Sequence, residues 1–131
     1  MLETRPGSKT AAQLVAEAKQ EIENLTPEQV ASEMATGTPV LIDLREAVER
    51  ADSGTIAGSV HAPRGMLEFY ADPSSAYHRP EFDTARRTIL YCASGGRSAL
   101  AARALRELGY ANVAHLDGGI KAWVASGRAT A

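Results

Sequence analysis

Short apolar runs set the fold of this chain. They stand at 40–43 ("VLID"), 59–62 ("SVHA"), 88–91 ("TILY") and 112–116 ("NVAHL"), and the stretch 22–25 offers a fifth. Helical patterns lie between them. The clearest covers 98–108 and is stopped by Gly109. Strands of four or five residues that alternate with helices predict an α/β fold: about five mostly parallel strands with helices on both faces. A chain of 131 residues is long enough to bury one such core.

The remaining segments follow from local rules. Residues 10–23 carry Leu14, Val15, Ala18 and Ile22 among charges, the pattern of an amphipathic helix. "TPEQ" at 26–29 begins another: Thr26 caps, Pro27 fits the first helical position and Gln29 completes a capping box. "TGTP" at 36–39 ends it. Residues 64–87, with Pro73, Pro80 and a "DPSS" turn signal, read as a short helix and a long surface loop. Residues 1–9 read as a loose terminus. The expected division is an N-terminal extension over 1–24, with its amphipathic helix, and one domain over 25–131.

Composition excludes several function classes. A net charge of −2 gives no reason to expect nucleic acid or an anionic membrane as partner. No apolar run is long enough to span a bilayer. The N-terminus lacks the basic start and apolar core of a signal peptide, so the expected location is cytoplasmic. His61, His78 and His115 are far apart in sequence, with no cysteine pair nearby, so no metal and no cofactor are expected. The chain has a single cysteine, Cys92, which rules out an internal disulfide. Such a residue is either a small buried hydrophobe or a reactive thiol.

The surroundings of Cys92 favour the reactive thiol. It ends the run "TILY" and is followed by Ala93, Ser94, Gly95, Gly96 and Arg97. In a parallel sheet, ligands gather at the carboxyl ends of strands. Small side chains leave such a loop open, and Gly95 and Gly96 can take positive φ. The loop then points successive N–H groups inward as an anion-binding nest. A helix beginning near Ser98 adds the positive end of its dipole, and Arg97 adds a permanent cation. A free cysteine has a pKa of about 8.5. A depression of roughly two units, about 2.7 kcal/mol, would leave it mostly ionised.

Four motifs in order resemble the rhodanese family of single-domain sulfurtransferases. "VLIDLRE" at 40–46 is similar to the family's first-strand signature, in which Asp-x-Arg follows an apolar strand. "SGTIAGSVHAP" at 53–63 resembles its Gly-His-Ile-Pro-Gly-Ala…Pro segment, departing from it at Thr55 and Ala57. "YCASGGRSALAARAL" resembles the active-site loop and the helix after it. "VAHLDGGIKAW" at 113–123, with Gly127 beyond, resembles the closing Gly-Gly…Trp segment. The match covers about residues 25–128. It implies a rhodanese-like fold in which Cys92 accepts sulfane sulfur as a persulfide and hands it to a nucleophile.

On that reading the Cys92 thiolate attacks a small donor such as thiosulfate, and sulfite leaves. The loop amides of residues 93–97 hold the persulfide, and an external thiol or cyanide takes the sulfur. No second cysteine is present to resolve the persulfide, so the acceptor comes from outside. Arg97 either steers the donor or turns inward to brace the loop. Asp43 is its candidate partner, an acceptor for loop amides, or the N-cap of the following helix. Arg45 reads as structural, and Arg64 as an added positive potential or a solvated loop residue. Tyr91 and Trp123 read as core. No general base stands out near Cys92. Two rival functions remain. One is a non-catalytic docking or sulfide-sensing module. The other is a cysteine phosphatase or arsenate reductase, whose loop has five residues between cysteine and arginine where this chain has four. Oligomeric state is open.

Overall fold

The computed structural model describes residues 7–131; the first six residues of the stretch read as a loose terminus lie outside the described residues. Thr10 caps α1 (Ala11–Glu21): its hydroxyl accepts from Gln13 N–H at 3.1 Å, and Gln13 Oε1 accepts from Thr10 N–H at 2.7 Å. The helix stops two residues short of the expected 23 because the chain straightens into β1 (Glu23–Leu25). The capping box expected at Thr26 and Gln29 opens α2 (Pro27–Thr36), with Pro27 in its first turn. There follow β2 (Val40–Asp43), α3 (Ala47–Ser53), β3 (Val60–His61), a short 3-10 turn (Arg64–Met66) and α4 (Leu67–Ala71). The last third holds β4 (Thr88–Tyr91), α5 (Gly96–Glu107), β5 (Val113–Leu116) and α6 (Gly119–Ala125).

The five strands form one sheet in the order β1-β5-β4-β2-β3, and every pairing is parallel. Alternation along each strand feeds two cores. Val40, Ile42, Leu90 and Val113 face Ala101, Ala102 and Leu105 of α5 and Leu67 and Ala71 of α4. Leu25, Leu41, Ile89, Ala114 and Leu116 face Val30 of α2 and Ile120 and Trp123 of α6. Helices on both faces cover the three inner strands, which is why β2, β4 and β5 are buried throughout. The α1 helix packs along α5 and buries Ala18. Among the described residues no helix is long and apolar enough to cross a membrane.

Three local expectations are corrected. "SVHA" pairs only at Val60 and His61, because β3 is a short edge strand. The helix after Cys92 begins at Gly96, two residues before Ser98, so Arg97 and Ser98 lie in its first turn. Gly95 alone of the loop glycines has positive φ, +102°; Gly96 is already helical.

Candidate active site

Cys92 directly follows the central strand, β4, which β5 and β2 flank. It is buried. The left-handed Gly95 turns the chain sharply into α5, and two backbone groups then donate to Sγ: Gly95 N–H at 3.2 Å and Ser98 N–H at 3.4 Å. The N–H groups of Gly96 and Arg97 have no intrahelical acceptor, being in the first turn. Ala93 and Ser94 form the outer part of the loop, and Ser94 is exposed.

The loop is also held from behind. Two carbonyls, of Cys92 and Ala93, accept from Ile120 N–H at 3.0 Å and Lys121 N–H at 3.1 Å, in the first turn of α6. This approach needs glycine. A Cβ on Gly119, whose φ is +63°, would lie 2.4 Å from the Ala93 oxygen. A Cβ on Gly118 would meet Ala122 Cβ at 2.6 Å.

A buried charge network pins the end of β4. Asp43 ends β2 fully buried and takes both prongs of Arg45, at 3.1 Å (Nε) and 2.9 Å (NH2). It also accepts from Arg45 N–H at 3.0 Å, Arg50 at 2.8 Å and the Tyr91 hydroxyl at 3.0 Å. Tyr91 in turn accepts from Ile56 N–H at 3.1 Å and shares a hydrogen bond with Ser59 at 2.9 Å. Asp43 therefore neither partners Arg97, nor accepts from the Cys92 loop, nor caps α3. Its charge goes to the nearest buried cation, Arg45, two residues on. Burial by itself would raise the Asp43 carboxyl, but the Arg45 hydrogen bonds outweigh it and hold the carboxyl below the usual range. A carboxyl with a depressed folded pKa stabilises fully above the ordinary carboxylate range, about pH 4, and loses that contribution as pH falls through its folded value. Asp43→Asn strands the buried Arg45 cation, and we expect it to cost roughly 3 kcal/mol at neutral pH. Thermal melts should show that cost shrinking below about pH 4, where the unfolded wild-type carboxyl takes up a proton before the folded one does. A loss that stays constant down to pH 2 would show that packing, not charge, is responsible.

Arg97 reaches out of the loop to α3 and forms a two-pronged ion pair with Glu49, both contacts at 2.9 Å. The pair holds Glu49 down to about 2. Arg97 thus braces the loop against α3. Arg64 pairs with Glu68 one turn along, at 2.8 Å, and remains partly exposed. Trp123 is core, its indole N–H donating to Ala129 O at 3.0 Å. A cleft of about 530 Å³ opens beside the loop between α3 and α6, lined by Ala93, Glu49, Asp52, Ile120, Lys121 and Val124 among others.

One site residue was not legible in the sequence. His115 on β5 lies in the adjacent strand and points its Nδ1 at Ser98 Oγ, 2.7 Å away. Ser98 Oγ is in turn 3.6 Å from Cys92 Sγ. Burial pushes His115 down to about 4, so the ring is neutral at pH 7. Only the neighbouring position of β5 and β4 brings residues 92, 98 and 115 together.

Comparison with known proteins bears on this geometry. The family model for the rhodanese-like domain matches residues 26–126. The probable adenylyltransferase/sulfurtransferase MoeZ of Mycobacterium tuberculosis is 32% identical over 100 residues, 76% of this chain but 24% of that protein. The chain thus spans about a quarter of the length of that relative. A Rhodopseudomonas palustris protein of unknown function, a possible tyrosine phosphatase, is similar in structure over 100% of this chain and 99% of its own, with TM-score 0.91 and 36% identity. A rhodanese-related protein of Thermoplasma volcanium shares the fold at TM-score 0.68 and 24% identity, over 83% of this chain and 97% of its own.

Proposed function

Since the chain belongs to the rhodanese-like domain family, we propose that it is a sulfurtransferase in which Cys92 carries sulfane sulfur as a persulfide. The carrying observation is the pair of backbone donors on Sγ, from Gly95 and Ser98, at the start of α5. Donors so placed stabilise an anion on sulfur. In the proposed reaction the thiolate attacks the outer sulfur of a donor such as thiosulfate. A new S–S bond forms to Sγ, the donor's S–S bond breaks, and its electron pair leaves with sulfite. Cyanide or an external thiolate then takes the terminal sulfur and returns the Cys92 thiolate. The residues proposed to act are Cys92 as carrier and the 93–97 backbone as cradle. Asp43, Arg45 and Ser98 would support the loop. We assign residues 25–131 to the rhodanese-like domain and 1–24 to an N-terminal extension whose helix α1 packs along α5. The similarity to the probable adenylyltransferase/sulfurtransferase MoeZ supports this reading.

One observation favours a second reading: the likeness to the possible tyrosine phosphatase of R. palustris. Against it, Arg97 is committed to Glu49, and only four residues separate Cys92 from it. A transferring phosphoryl group has three equatorial oxygens that need donors. The test is intact mass after incubation with thiosulfate, with p-nitrophenyl phosphate assayed in parallel. We expect a gain of one sulfur atom, removed by cyanide as thiocyanate, and no comparable phosphate release. Phosphate release at the rate of sulfur transfer, or no sulfur uptake from any sulfane donor, would overturn the proposal.

A further inference from the structure

The Asn24–His115–Ser98–Cys92 chain has a defined direction. The Asn24 amide Nδ2 donates to Lys19 O at 2.9 Å and Ile22 O at 3.3 Å, which fixes Oδ1 toward His115. Oδ1 lies 2.8 Å from His115 Nε2 and can only accept, so the neutral ring carries its hydrogen on Nε2. Nδ1 is then an acceptor, and its 2.7 Å partner, Ser98 Oγ, donates to it. A hydroxyl has one hydrogen. With that hydrogen spent on His115, Ser98 Oγ turns a lone pair toward Cys92, where it accepts from the thiol S–H at 3.6 Å.

We propose that His115 is a positioning residue that withholds the Ser98 hydroxyl hydrogen from sulfur, leaving the Cys92 thiolate its two N–H donors without the O–H as a third. The inference rests on the proposed role of Cys92 as sulfur carrier and deepens it. A thiolate held by fewer donors is more basic, and nucleophilicity toward sulfur rises with basicity. Loading converts Sγ from an anion to a neutral divalent sulfur, which has no need of a third donor. The arrangement therefore favours the loaded site over the empty, anionic one. Turning the hydroxyl toward the thiolate would leave the buried Nδ1 without a donor, a cost that restrains the switch. The charged groups acting on the ring are Lys19 from α1 and Asp117 after β5, opposite in sign and paired with each other at 2.9 Å. Arg97 acts on Cys92 from α5.

The test is the pH dependence of Cys92 alkylation by iodoacetamide, which needs no sulfur donor. His115→Leu frees the Ser98 hydroxyl for sulfur, and the inflection should fall by about one pH unit, the scale of one hydrogen bond to a charged group. His115→Asn places an acceptor where Nδ1 stood, and should restore the wild-type inflection. In a Ser98→Ala background, His115→Leu should produce no shift. A merely structural role for His115 would be neither rescued by asparagine nor dependent on the serine hydroxyl. Asn24→Ala, on an exposed edge strand, releases the tautomer while keeping the ring. It should move the inflection down too, and it decides the question if His115→Leu does not fold. An inflection unchanged or raised in these variants, or a fall that persists without the Ser98 hydroxyl, would overturn the inference. Thiosulfate uptake is read separately on the same samples. Its failure in the wild type would remove the sulfurtransferase reading, while the alkylation shifts would still decide the role of His115.

Discussion

Cys92→Ser should take up no sulfur from thiosulfate and release no thiocyanate from cyanide, a fall to the uncatalysed background. The reason is chemical. In the proposed reaction the thiolate is the nucleophile, whereas a serine hydroxyl stays protonated at neutral pH and cannot form a persulfide. The fold should survive, because the forces that shape the loop do not pass through sulfur. Asp43 and Tyr91 pin the end of β4, and α6 holds the Cys92 and Ala93 carbonyls. The smaller Oγ still lies among the Gly95 and Ser98 N–H groups. Intact mass, thiocyanate colorimetry and a thermal melt on one preparation check all three statements. Serine-variant turnover at the wild-type rate would remove Cys92 from the mechanism.

Gly119→Ala should damage the site although residue 119 is 27 positions from the cysteine. Its Cβ would sit within 2.5 Å of both the Cys92 and Ala93 carbonyl oxygens, and those are backbone atoms that cannot swing aside. Either α6 or the loop must move. A forced backbone shift together with a left-handed alanine should cost about 3 kcal/mol. A loop displaced by an ångström should lose roughly a hundredfold in sulfur transfer. Gly109→Ala is the control. Gly109 also has positive φ, +98°, but nothing lies within 4 Å of its Cβ position. It should therefore cost about 1 kcal/mol of backbone strain and leave transfer per folded molecule unchanged. Equal losses in the two variants would assign the effect to backbone conformation alone and not to the contact with the loop.

The sequence by itself determined the features written in short windows. Thr26, Pro27 and Gln29 mark a helix start because a cap and its partner lie three residues apart. The runs at 40–43, 88–91 and 113–116 mark buried strands because apolar side chains stand on both their faces. Cys92, small residues and a helix in direct succession mark a loop whose backbone N–H groups turn toward sulfur, since the chain itself makes that contact. The Asp43–Arg45 pair was within reach of the same logic, being two residues apart. What tertiary structure decided was which distant groups meet. Arg97 meets Glu49 across 48 residues, His115 meets Ser98 across 17, and Gly119 meets the Cys92 carbonyl across the turn of another strand. Those meetings depend on strand order, with β5 and β2 on either side of β4. Hydrophobic period reports that a strand is buried but not which strand lies beside it, and the neighbour is what assigns each polar group its partner.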